Sequence, residues 1–370
     1  MPRYRSVKRI KFANDRDAAF QAALRAEVAA WFARTGRGPI AGPGVWLKGG
    51  LLAAAAIGSY GALLTQPWGT AGLLAAAVTA KLALLFLVLN IGHDAAHRAV
   101  TGDRATDDRI CWWLFAFLGV DGTMWQLRHL KSHHNFPNVD GCDADIDHNP
   151  LLRLSPGAPT RRWQRWQHLY AWPAYALVGF HSVFVQDVVY LRQRSLANLG
   201  EIRHAPREVL QLAAGKAIHL TAFVLVPWSV LDRPLWHVLV GYAVASSLQS
   251  FAFILPLVAT HFAAETEFPQ PGPARALARS WAGHALATAL DFAPRSRLAS
   301  WLYGGINCHA AHHLLPQVSH AHYRRLTPLI ARAAAAHGLP YNSASFMGAL
   351  ASHFRFLKRM GRAAPVPAAC

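Results

Sequence analysis

Four runs of this chain are long and apolar enough to cross a bilayer, and they fall into two pairs: 47–65 with 70–91, and 214–231 with 235–258. A hydrocarbon core about 30 Å thick asks for roughly 20 apolar residues in a helix. No water reaches that core, so the backbone N–H and C=O groups of such a run must be satisfied within the run itself, as a helix does. The connections are short, Gln66-Pro67-Trp68-Gly69 in the first pair and Asp232-Arg233-Pro234 in the second. Connections that brief turn the chain straight back, and each pair is expected to be an antiparallel hairpin. The expected fold is therefore all-α: an integral membrane protein with four transmembrane helices in two hairpins and a helical cap on one side. Two further runs do not read as spans. Residues 111–120 are too few, and 168–190 carry His181, Gln186 and Asp187. Both are expected to lie in the interface or to pack on the protein.

Charge orients this arrangement. Apolar residues make up 53% of the chain and charged ones 15%, yet the net charge is +18. An apolar and basic chain suits a membrane protein whose polar parts sit near anionic headgroups. The basic residues flank apolar runs and no nucleic-acid motif accompanies them, so no nucleic-acid partner is expected. Residues 1–46 carry Arg3, Arg5, Lys8, Arg9, Lys11, Arg16, Arg25, Arg34 and Arg37, whereas the two outer loops carry almost no charge. The positive-inside rule makes 1–46 a cytoplasmic N-terminal arm. Residues 47–370 follow as one membrane domain, with 92–213 and 259–370 forming a cytoplasmic cap. The expected location is a membrane crossed several times, the bacterial inner membrane, with both termini cytoplasmic. The start is polar and basic, unlike a cleavable signal peptide. Cys111, Cys142, Cys308 and Cys370 form no C-x-x-C pair, and no disulfide framework is expected. Lys81, His219 and His237 fall inside spans. Polar groups there are costly, and each is either functional or neutralised within the bundle.

The chemistry lies in three histidine clusters outside the expected spans: His93-Asp94-Ala95-Ala96-His97, His129-Leu130-Lys131-Ser132-His133-His134 and His309-Ala310-Ala311-His312-His313. Helical residues three or four apart share a face. His93 therefore points with His97, His129 with His133, and His309 with His312 and His313. With 20 His in the chain one chance pair is unremarkable, but three clusters, two of them with a doubled His-His, are not. Eight converging imidazoles form a nitrogen-rich metal site. Four-coordinate zinc would leave half of them idle, and calcium and magnesium prefer oxygen. Imidazole suits iron and copper; no cysteine–methionine pattern argues for copper, and the clusters read as a di-iron site. All three must then share one side, which two spans between the second and third clusters allow.

These residues resemble the membrane fatty acid desaturases, whose three histidine boxes run H-x(3–4)-H, H-x(2–3)-H-H and (H/Q)-x(2–3)-H-H. The likeness is narrower to the bacterial linoleoyl-CoA-desaturase-like branch, close to the front-end desaturases. It rests on Ile10-Lys11-Phe12, Trp46-Leu47-Lys48, Asn90-Ile91-Gly92 before the first box, and Asn135-Phe136-Pro137-Asn138 with Gly141-Cys142-Asp143-Ala144-Asp145 after the second. It continues in His261-Phe262-Ala263-Ala264-Glu265 and in Gly304-Gly305-Ile306-Asn307 before the third box, with Tyr323 after it. Two features depart from the front-end pattern. The third box begins with His309 rather than Gln, and no His-Pro-Gly-Gly of a fused cytochrome b5 occurs.

The resemblance implies an oxidoreductase that uses O2 and two iron ions to insert a cis double bond into an acyl chain carried on lipid, CoA or acyl carrier protein. It also implies electrons from a separate donor such as a ferredoxin or a cytochrome b5-type protein. It implies as metal ligands His93, His97, His129, His133, His134, His309, His312 and His313, with His284 as the ninth and His261 as the competitor for that place. No catalytic residue is expected apart from these ligands. Asn307 is a candidate for holding a metal-bound water or positioning the box, and Asp94, Asp143 and Asp145 for accepting ligand ring N–H groups. Two alternatives stay open: a di-iron membrane hydroxylase or acetylenase on the same scaffold, and, in another class, a membrane metal-binding or transport protein.

Overall fold

The computed structural model describes residues 2–6, 10–12, 17–65, 69–146, 150–272 and 274–364. Gln66, Pro67 and Trp68 of the first outer turn, together with Lys8, Arg9, Arg16 and Cys370, lie outside the described residues.

The chain enters through helix α1 (Ala18–Thr35) and then α2 (Pro43–Thr65) and α3 (Thr70–Ala96), the first long apolar pair. Helices α4 (Arg104–Leu118) and α5 (Gly122–Arg128) follow, then α6 (Arg162–Ala176) and α7 (Val178–Arg192). The second apolar pair is α8 (Pro206–Val230) and α9 (Leu235–His261). The last third holds α10 (Trp281–Ala287), α11 (His309–Leu314), α12 (His320–Ala336) and α13 (Phe346–Met360). The fold is all-α in its framework, and α2, α3, α8 and α9 are long and apolar enough to cross a membrane. Three small sheets stitch distant segments together. β1 (Arg3–Ser6), β3 (Ser195–Leu196) and β4 (Leu199–Arg203) form one; β2 (Lys11–Phe12) pairs with β5 (Ala276–Leu277), and β6 (Leu290–Phe292) with β7 (Asn342–Ala344).

The run 168–190 is not one helix. It bends by 59° between α6 and α7 and packs on α9. The N–H of Gly179 donates to Ser250 Oγ at 2.9 Å, and a Cβ there would lie 2.6 Å from that oxygen, so only glycine permits this approach. The run 111–120 falls in and just beyond α4. Asp103 caps α4 by accepting from the Thr106 N–H at 2.8 Å, and Gly119 ends it with φ 86°, a left-handed stop that favours glycine. Against Gly119 sits His219, which donates from Nδ1 to the Phe117 carbonyl at 2.7 Å and meets Tyr242 Oη through Nε2 at 2.9 Å. His219 thus ties α4, α8 and α9 together. His237 lies beside the Trp236 ring, 3.7 Å between centroids.

Lys81 is buried in α3 with its ammonium over the rings of Phe223 and Tyr242, 4.5 and 4.4 Å from their centroids. Cation–π contact offsets part of the cost of a desolvated ammonium. This lysine belongs to the bundle rather than to the histidines. Lys81→Met is therefore expected to keep bound metal and activity within about twofold of wild type, since it removes a costly buried charge that lies away from the histidine clusters. Metal analysis and product assay of the purified variant check this.

Outside the apolar bundle, α1 packs on α12. Phe20, Leu24, Val28 and Trp31 meet Leu326, Ile330, Ala333 and Ala334 in a core that also holds Ala310 and Ala311 of α11. Each fully buried side chain of Phe or Leu size contributes about 1.5–3 kcal/mol, and this core fixes the backbone that carries the third cluster.

Candidate metal centre

Each histidine cluster is aimed by a local distortion or an anchored turn. The apolar helix α3 passes through one π turn, Val88–Gly92, just before His93, and the first cluster closes its end. The second cluster is itself a π turn, His129–His133, closed by the His134 N–H to the His129 carbonyl at 3.0 Å. In an α-helix a residue five positions on lies about 140° around the axis. A wider i→i+5 turn brings it back, so His129, His133 and His134 all face inward. The third cluster is the short helix α11, whose first turn is held by Asp291: Oδ1 accepts from the Ala310 N–H and Oδ2 from Tyr341 Oη–H, both at 2.8 Å. On α11, His309 and His313 share a face while His312 is turned about 100° from His313.

The outcome is two adjacent buried groups. His93, His97, His129 and His312 form one, and His133, His261, His309 and His313 the other; within each, the ligand atoms lie within 4.8 Å of one another. The doubled histidines are divided between them. His312 serves the first group and His313 the second. His134 meets the first group, with its Nε2 3.1 Å from His129 Nε2 and 3.0 Å from His312 Nε2. Its ring also lies 4.5 Å from that of His313. In the second group His261 Nε2 lies 2.6 Å from His309 Nε2 and 3.1 Å from His313 Nε2.

This donor set fits metal ions. Ring nitrogens about 3 Å apart are the edges of a coordination shell with metal–nitrogen bonds of about 2.1 Å. Burial, reinforced by the neighbouring imidazoles, holds His97, His129, His134, His312 and His313 well below the usual histidine range, and His309 down to about 3. Neutral imidazoles keep a lone pair, yet facing nitrogens cannot all be donors to each other. His97 Nε2 is buried without a hydrogen-bond partner, as expected of an atom whose partner is a cation. Trp125 stacks on His129, 4.3 Å between ring centroids.

The surrounding carboxylates divide. Asp143 accepts from His133 Nδ1–H at 3.0 Å. Burial is the largest influence on His133 and depresses it, but Asp143 and Asp145 outweigh burial and its pKa is raised. Asp145 faces His129 Nδ1 at 3.4 Å and pairs with Arg128 Nε at 2.9 Å. Such partners fix the tautomer and raise ligand basicity. Asp143→Asn is expected to weaken metal retention about 10–100-fold, read as metal lost per chain during dialysis against a chelator. Asp94 turns to the start of α12. It accepts from His320 Nδ1–H and Ser319 Oγ–H, each at 2.8 Å, and no bond joins it to a cluster histidine among the described residues. Asn307 donates to the Ala293 carbonyl at 3.2 Å, and its Oδ1 is buried without a hydrogen-bond partner.

The two histidines in competition for the ninth place are set apart by the fold. His284, on α10, is in neither group and turns toward Phe12, 5.6 Å between ring centroids. His261 stands with His133, His309 and His313 instead. The reason lies at the end of α10, where the Thr288 carbonyl accepts from His261 Nδ1–H at 2.9 Å and leaves Nε2 directed at His309 and His313. One turn earlier, His284 faces away. Asn138 completes the support. At φ 61°, a conformation asparagine tolerates, its amide donates to the His261 carbonyl at 3.0 Å and its N–H to Asp143 Oδ2 at 2.8 Å. Sequence reasoning gave Asn138 no role beyond its place in a motif and passed over Asp291. A lone carboxylate between two large apolar residues, as in Leu290-Asp291-Phe292, was the available signal for Asp291.

The family described as fatty acid desaturase matches residues 65–345. An sn-1 linoleoyl-lipid 6-desaturase of Synechocystis sp. is 28% identical over 362 residues, covering 97% of this chain and 99% of the relative. An acyl-lipid (8-3)-desaturase of Physcomitrium patens is 29% identical over 279 residues, 74% of this chain and 57% of the relative. Another of that name, from Mortierella alpina, is 26% identical over 362 residues, 92% of this chain and 78% of the relative.

Proposed function

Because the chain belongs to the fatty acid desaturase family, we propose that it inserts a cis double bond into the acyl chain of a lipid at two iron ions held by nine histidines. The enzyme is a membrane oxidoreductase. The observation that carries the finer reading is the pair of buried histidine quartets, side by side, where the apolar helices α3 and α9 end. His93, His97, His129 and His312 with His134 would hold one iron, and His133, His261, His309 and His313 the other. Bound there and supplied with two electrons by a separate donor, iron would activate dioxygen, which with two protons and the two hydrogens taken from adjacent carbons leaves as two waters. Zinc has no redox chemistry to offer for this.

The protein's own part is placement. Asp143 and Asp145 hold the ring N–H groups of His133 and His129. Thr288 and Asn138 set His261, and Asp291 sets α11. Trp125 and the buried Tyr323, whose ring lies 6.2 Å from that of His312, keep the first quartet dry. Asn307 keeps a buried acceptor open for a water. An acyl-lipid substrate is favoured by the relatives' names and by the position of the site at the ends of apolar helices, where an acyl chain leaves the bilayer only briefly. The charge of the arm supports a cytoplasmic side for 1–46 and for the cap of 92–213 and 259–370, in a bacterial inner membrane.

The test is a total fatty-acid profile by gas chromatography–mass spectrometry of bacteria expressing the chain. A new species two hydrogens lighter than a host fatty acid is the expected result. A product heavier by one oxygen would replace desaturation with hydroxylation.

A further inference from the structure

Lys48 stands one residue inside the first apolar run, where a lysine is costly, and the metal site does not use it directly. It is buried against three acceptors, one for each ammonium hydrogen: Asn90 Oδ1 at 2.5 Å, His320 Nε2 at 2.7 Å and the Trp301 carbonyl at 3.4 Å. Because Lys48 has only hydrogens to give, His320 must accept at Nε2 and carry its proton on Nδ1, which donates to Asp94 Oδ2 at 2.8 Å. Asp94 also accepts from the His320 N–H at 3.1 Å, at the start of α12, where a carboxylate suits the helix dipole. Lysine, neutral imidazole and carboxylate thus form one charge-balanced buried chain from α2 to the residue that follows His93.

The second arm of Lys48 reaches the π turn. Asn90 donates from Nδ2 to the Phe86 and Leu302 carbonyls at 2.7 and 2.9 Å. On the same turn rests Gly304, with φ 56° and no room for a side chain, since a Cβ would lie 2.3 Å from the Leu89 carbonyl oxygen. Gly49 brings α2 against the turn as well, with Ile91 Cγ1 3.0 Å from where its Cβ would be. The π turn is therefore the joint at which α2 and the loop leading to the third cluster meet, directly ahead of His93, and Lys48 links it to the start of α12.

We propose that Lys48 is a positioning residue for the first metal group. Through His320 it sets Asp94, and through Asn90 it sets the π turn, so that His93 and His97 are held facing His129 and His312. This rests on the two-iron reading above. It also makes a selective claim, because the second group (His133, His261, His309 and His313) has its own supports in Thr288, Asn138 and Asp143.

The experiment measures iron per chain and turnover in the full-length, detergent-purified protein loaded with iron. Wild type is expected to hold about two irons; in Lys48→Met one of the two is expected to be held about 10–100-fold more weakly, so that it is lost first on dialysis against a chelator, with turnover falling by a similar factor, as loss of an outer partner of a metal site does. His320→Phe is expected to match it, and the double variant to be no worse than the poorer single, because both break one chain. Should Lys48→Met fail to assemble, His320→Phe, which leaves α2 unaltered, carries the same expectation. Retention of two irons with wild-type turnover would overturn the proposal. So would joint loss of both irons, which marks a general structural role, or multiplicative losses in the double variant. A wild type that binds no iron would remove the metal reading itself, and this proposal with it.

Discussion

His312→Ala is expected to abolish turnover and to empty the first iron position. His312 is fully buried, and its Nε2 lies 3.0 Å from that of His134, between the first and second clusters. Its ring also lies 4.6 Å from that of His93 and 4.9 Å from that of His97. Its removal takes a nitrogen from a coordination shell and leaves a cavity among imidazoles already held neutral by burial. The loss should exceed the roughly 10–100-fold that removing an outer partner costs. The measurement is iron per chain together with the fatty-acid profile. Full activity in this variant would refute the site.

The second large effect separates two histidines that sequence alone left in competition. His261→Ala should behave like loss of a cluster histidine, with turnover abolished and the second iron lost. His284→Ala should keep both irons, because His284 faces Phe12 and belongs to neither quartet. Its cost should be one of packing, on the order of 1–3 kcal/mol in stability for a buried ring replaced by a smaller side chain. Thermal unfolding and metal analysis of the two variants decide between them. Iron loss in His284→Ala with retention in His261→Ala would reverse the assignment.

The contrast shows what the sequence made legible and why the rest was hidden. Apolar runs near the length of a bilayer and histidines three or four apart are local patterns, so the four long helices and the eight cluster histidines could be read directly. Which of His261 and His284 lies with the clusters could not, because it depends on how α10 docks. A sharper argument was available. Two antiparallel hairpins bring the ends of α3 and α9 to one side of the membrane. A histidine at the end of α9 therefore lies level with His93 and His97, whereas His284 follows a long loop whose path no local pattern dictates. The π turns were equally hidden. Simple spacing makes His129 and His133 neighbours, but only an i→i+5 turn brings His134 inward as well. Asp94 sits beside a cluster histidine in sequence, yet its partner, His320, is 226 residues away.

The central claim is that two iron ions lie side by side, one in each quartet. Anomalous diffraction at the iron edge from crystals of the iron-loaded protein tests it most directly. The expected result is two peaks, one among His93, His97, His129 and His312 and the other among His133, His261, His309 and His313. A single peak, or one beside His284, would contradict it.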